Sequence, residues 1–232
     1  GNHILVEELE ELKSNYITTL SQLDISNNTF NNSIRKYNLL VDLSEIEAYY
    51  LDDVSAAKQH LNTAILIPRL KEKLKAEAKL KLADILVLED NIWEASLKYL
   101  QIEKQFKDDK LGHLAKFKNA QVYYFSGEYD WCQSQLDILK ASTSKLIAND
   151  ALELSVLISD NFNMDTSEIA MKLFSYADML SAQQQYSEAI LLYDSVLNNF
   201  KNHSLNDEIL FRKAKIHLKQ NNYSKAINNL LE

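Results

Sequence analysis

The sequence is poor in the residues that make turns. It holds three glycines and one proline among 232 residues. Strands reverse direction through residues that accept φ > 0 or hold φ fixed, so an all-β or α/β fold has too few places to turn. A single cysteine, Cys132, excludes an internal disulfide. No apolar run reaches the roughly 18 residues of a bilayer span, so direct membrane insertion is not expected. Basic residues also fall short, 25 Lys and Arg against 33 Asp and Glu, for a net charge of −8. Such a chain lacks the cationic footprint that displaces counterions from phosphates, and no nucleic-acid partner is expected. The same balance disfavours an anionic membrane surface. With 46 % hydrophobic residues the chain is nonetheless too apolar for disorder.

What the sequence does have is helical periodicity. Apolar residues recur at i, i+3, i+4 and i+7 nearly throughout. The breaks between these segments are short and polar. Asp24–Thr29 separates a helix near Ile4–Leu23 from one near Phe30–Leu51. An Asp or Ser cap at 51–55 opens a third, and Pro68 fits the first turn of a fourth. Later breaks fall at Glu89–Asn91, Lys107–Leu111, Ser126–Glu128, Ser142–Lys145, Asn161–Ser167, Gln183–Gln185, Lys201–Leu205 and Gln220–Asn222. The expectation is an all-α chain of about twelve helices joined by short connections, an α-solenoid of antiparallel helix pairs.

Four segments share one internal pattern. A small residue is followed twelve positions later by another: Ala83 and Ala95, Ala120 and Cys132, Ala177 and Ala189, Ala214 and Ala226. Three residues before the second member stand Ile92, Tyr129, Tyr186 and Tyr223. The pattern returns after 37, 57 and 37 residues. This resembles the tetratricopeptide repeat (TPR), a helix–turn–helix unit of about 34 residues, over 76–144 and 170–232, with units starting at Ala76, His113, Ala170 and Asp207. The family's turn glycine occurs only once, at Gly127. A degenerate unit is expected before them, with Tyr49, Val54, Ala57 and Leu61 in similar roles. The resemblance implies a TPR-like superhelix, and the Asn- and Lys-rich composition suggests a bacterial source.

The resulting plan is 1–75 for the N-terminal helices with the degenerate unit, 76–144 for two units, 145–165 for an extra helix interrupting the array, and 166–232 for two units. Helices in such an array alternate direction, so one inserted helix breaks the parity. It is expected either to lie across the stack or to reverse the units that follow. The chain opens on Gly1 rather than Met and closes within a helix. Further residues are therefore expected on both sides, and the last unit is expected to self-associate through its exposed face. The compartment stays open between cytoplasm and periplasm.

Residues that could carry chemistry are scattered. The five histidines have no metal-ligand spacing, no glycine-rich phosphate loop exists, and Cys132 reads as a small core residue. The paired acids Asp52-Asp53, Glu89-Asp90 and Asp108-Asp109 sit where helix dipoles favour acids. No enzyme activity, cofactor or metal is expected. By the resemblance, first helices of the pairs line a concave groove for a protein or peptide partner. The groove candidates are Leu114, Phe117, Gln121, Tyr124, Phe125, Met171, Asp178, Lys215 and Lys219. A chaperone-tail receptor is disfavoured because Lys81, Lys118, Ser175 and Arg212, with Asp84, Gln121, Asp178 and Lys215, cannot make its carboxylate clamp. The competing readings are a peptide- or glycan-binding module of a bacterial surface or secretion complex, and a helical hydrolase.

Overall fold

The computed structural model describes residues 2–25, 30–141, 144–162, 168–201 and 203–231. Among these the chain is all-α, with twelve helices and no strand, and consecutive helices pack in pairs. Of the breaks expected at 24–29, 142–145, 161–167 and 201–205, residues 26–29, 142–143, 163–167 and 202 lie outside the described residues, while 24–25 continue the helix Asn2–Ile25 and 161–162 the helix Lys145–Phe162. No helix among the described residues is long and apolar enough to cross a membrane. The chain divides into two compact units, Gly1–Leu86 and Val87–Glu232. The division falls inside a helix, Glu72–Leu88.

The first unit contains α1 (Asn2–Ile25), α2 (Phe30–Tyr49), α3 (Val54–Ile65) and most of α4 (Glu72–Leu88). Leu43, Ala57, Leu61 and Ala64 are fully buried in it. Asp53 caps α3, its carboxylate accepting from the Ala56 amide at 3.1 Å. Lys13 of α1 bridges Asp53 (3.1 Å) and the buried Glu47 of α2 (3.2 Å), and His60 of α3 contacts Glu47 at 2.7 Å. This polar knot fastens three helices to one buried carboxylate. Pro68 does not start α4; it stands in the preceding turn, followed by Arg69 at φ 61°. Burial of Ile67 and Leu70 on either side draws this stretch into the core before the helix begins.

The second unit holds the end of α4, then α5 (Ile92–Gln105), α6 (Lys110–Phe125), α7 (Tyr129–Leu139), α8 (Lys145–Phe162), α9 (Glu168–Ala182), α10 (Tyr186–Asn199), α11 (Asn206–Lys219) and α12 (Tyr223–Leu231). Its pairs are α6 with α7, α9 with α10 and α11 with α12, and α5 packs on α6. At the crossings Ala95, Ala120, Cys132, Ala177 and Ala189 have no exposed surface, and Ala214 and Ala226 have 1 %. Ala83 of α4 is likewise buried. Methyl- and thiol-sized side chains let the helix axes approach closely. Gly112 marks a tighter approach. A Cβ there would stand 2.0 Å from the Phe106 carbonyl oxygen, so only hydrogen fits beneath the α5–α6 turn.

The repetition is also written in the backbone. Counted from Ala76, His113, Ala170 and Asp207, the fifteenth residues are Asp90, Gly127, Gln184 and Asn221. All four have positive φ, between 57° and 78°. The amide after each of the last three bonds five residues back, Glu128 to Tyr123, Gln185 to Leu180 and Asn222 to His217. These are Schellman endings, in which a left-handed residue satisfies the last helix carbonyls. Asp52, after α2, adopts the same conformation at φ 56°.

The interval between the α6–α7 and α9–α10 pairs contains one helix, α8, among the described residues. It packs chiefly on α7, with Gln133 donating to the Ser155 carbonyl (2.9 Å). Its buried stripe is Ile147, Ala151, Ser155 and Ile158. Leu146, Leu152 and Val156 stay exposed on its flank. Beyond it α9 returns directly to α6, but out of register. Tyr124 meets Asp178, Tyr129 meets Ser175, and the Gly127 turn sits over Lys172. Gln183, just past the end of α9, donates to the Val87 carbonyl in the last turn of α4 (3.1 Å). Thus α9 meets the α6–α7 turn along its length and, just past its last residue, the end of α4.

Candidate functional site

A cleft of about 430 Å³ opens where α6, α8, α9 and α11 converge. Six of the nine expected groove residues line it: Phe117, Gln121, Tyr124, Phe125, Asp178 and Lys219. Leu114, Met171 and Lys215 do not. Met171 is fully buried beneath the cleft, and Leu114 packs partly against the same core. Lys215 points along the surface, its ammonium 4.2 Å from the Phe211 ring centroid.

Tyr124 is a core residue with an aromatic wall rather than an exposed anchor. It is 2 % exposed, tilted against Phe125 and Tyr129 at 5.7 and 6.2 Å. Its hydroxyl donates to Asp178 Oδ2 at 2.7 Å. Asp178 also accepts from Tyr193 of α10 and, at 3.2 Å, from Arg212 Nε of α11. One carboxylate on α9 therefore ties together α6, α10 and α11. Burial and the neighbouring Asp178 charge push both tyrosine hydroxyls well above their ordinary pKa. They stay protonated donors. Arg212 is held in its charged form by Asp178 against the opposing effect of burial, and its guanidinium lies 6.0 Å from the Phe174 ring centroid.

Cys132 has no access to the cleft. Burial pushes its thiol up to about 12, which removes the thiolate a nucleophile needs. The peptide around it, Ala120 to Cys132, is the end of α6, a Schellman turn and the start of α7. Tyr129 there is buried, its ring tilted against Phe162 at 4.7 Å and its hydroxyl bonded to Ser175 at 2.9 Å.

The part of the cleft that repeat reasoning misses comes from α8, which supplies Asp150, Glu153, Leu154 and Leu157. This helix stands outside the repeat, so no groove position maps onto it. A signal was nonetheless present: Asp150, Glu153, Leu157 and Asp160 follow i, i+3, i+7 and i+10, one stripe of a helix. Arg212 is the other addition, reaching the cleft from the residue after Phe211. Together these give a partly apolar trough with fixed charges on its walls.

No family model matches the chain, and no curated protein matches it.

Proposed function

We propose that the chain is a non-catalytic, TPR-like scaffold that seats a protein or peptide partner in the cleft between α6, α8, α9 and α11. The observation that carries this reading is the gathering of Phe117, Gln121, Phe125 and Lys219 around one open trough. Part-buried aromatics on rigid helices can anchor a partner at little entropic cost. The four turn residues with positive φ and the buried small pairs support the family resemblance. Asp178, a carboxylate in the trough, is used up by three donors from three helices, a structural employment.

Filling the trough tests the proposal. Ala182 is exposed and lines the cleft, so Ala182→Trp occludes it with little burden on folding. Affinity capture from native extract should lose its specific partner with Ala182→Trp. It should keep that partner with Trp131→Glu, a change at an exposed position of α7 outside the cleft. Retention of the partner by the Ala182→Trp protein would refute the proposed site.

A further inference from the structure

The cleft continues into a second one of about 570 Å³, between α8 and the start of α11, and the two share Glu153, Leu157 and Arg212. The second cleft adds Asp160, Asp207 and Glu208 to the wall. Across both, six carboxylates face two cations. Arg212, one of those cations, is engaged by Asp178 at 3.2 Å and by Glu208 at 3.8 Å. Glu153, Asp160 and Asp207 are exposed, and among the described residues none makes an ion pair or side-chain hydrogen bond.

Asn161 is independent of this cluster and points the same way. It is 4 % exposed and lines the second cleft. Its Nδ2 donates to the Leu157 carbonyl at 2.8 Å, while its Oδ1 has no donor. Buried acceptors are normally satisfied, and Asn161 Oδ1, like the three exposed carboxylates beside it, is an acceptor without a donor. Between the acids lie the exposed apolar side chains Leu152 and Val156. The carboxylates are not clustered as a metal ion would need among the described residues. What matches is a ligand with spaced donors and apolar groups between them.

Resting on the reading of this trough as the partner site, we propose that its occupant is a cationic amphipathic peptide segment, with Lys or Arg side chains on the α8 and α11 acids and apolar side chains on Leu152 and Val156. The wall from Asn149 to Asn161 is about 18 Å long, which roughly six extended residues span. A lysine ammonium supplies three donors and no acceptor, so it suits a wall whose exposed charged side chains, Glu153, Asp160 and Asp207, are acceptors only. Opposite charge on the rim also speeds encounter and rejects acidic segments.

The test measures fluorescence anisotropy of a labelled octapeptide of alternating Lys and Leu, beside Gln/Leu and Glu/Leu counterparts, on the whole chain. The Lys/Leu peptide should bind at least about tenfold tighter than the Gln/Leu peptide, and added salt should erode the difference. The triple variant Glu153→Gln/Asp160→Asn/Asp207→Asn should lose about tenfold for the Lys/Leu peptide with at most a small shift of the melting curve, because all three side chains are exposed and only Asp207 sits in the first turn of a helix. Equal affinity for the three peptides, or indifference of the Lys/Leu peptide to the triple variant, overturns the inference. So does a photo-crosslink from Leu152→benzoylphenylalanine to a partner segment without basic residues, which leaves the trough as the partner site. Failure of Ala182→Trp to release the partner removes the site itself.

Discussion

Removing the carboxylate of Asp178 perturbs the point where four helices meet. Asp178→Ala strips a charged partner from Arg212 and an acceptor from the hydroxyls of Tyr124 and Tyr193. The Asp178 and Arg212 side chains are 12 % and 20 % exposed, so water compensates only in part. Breaking one side of an enclosed ion pair costs about 3–5 kcal/mol. Each orphaned hydroxyl adds a penalty of about 1–3 kcal/mol if nothing replaces its partner. These losses share one group and do not add. The residual Arg212–Glu208 contact at 3.8 Å returns some of the first. A total of about 3–5 kcal/mol follows, a large share of the roughly 5–15 kcal/mol by which domains are stable. Tyr124→Phe, which removes a single donor, should cost only about 1 kcal/mol. Urea denaturation followed by circular dichroism measures both, and an Asp178→Ala/Tyr193→Phe cycle should show coupling of about 0.5–3 kcal/mol. A loss below about 1 kcal/mol for Asp178→Ala would refute the argument, because it would mean solvent already serves these groups.

Overpacking the fully buried Ala189 with leucine should destabilise the second unit by about 1–3 kcal/mol in the same assay. Gln184, exposed and at φ 62°, adopts a conformation that costs an L-residue about 1–2 kcal/mol. After glycine's own entropic penalty, Gln184→Gly should stabilise by about 0.5–1 kcal/mol, and Gly127→Ala at φ 78° should destabilise by a similar amount, both read from thermal melts. His217 gives a pH dependence: burial first, and then Lys225, hold its imidazole below the ordinary 6.5. A base with a lowered folded-state pKa leaves the unfolded chain holding more protons at intermediate pH. Its contribution to stability is thus complete above about 6.5 and is lost as pH falls through that value toward the folded pKa. Melting temperatures across this window should fall on acidification, and His217→Gln should flatten the change.

The sequence by itself determined the helices, the turns between them and the pairs that cross closely. Helical periodicity, a shortage of turn residues and the twelve-residue spacing of small side chains are local quantities, so they survive without coordinates. Ala95, Cys132 and Ala189 could be placed in the core because a close helix crossing leaves no room for anything larger. Pro68 shows the limit of local logic: its fixed φ suits a helix start, but burial of Ile67 and Leu70 keeps it in a turn. The candidate trough was legible only where it belongs to the repeat, at Phe117, Gln121, Phe125 and Lys219. Tertiary structure alone decided that Tyr124 and Met171 are core, that Asp178 collects three donors, and that α8 closes one side with Asp150 and Glu153. The reason is that α8 carries no repeat position, so its contacts with α6, α7 and α9 are written in no local pattern and exist only once the helices are packed.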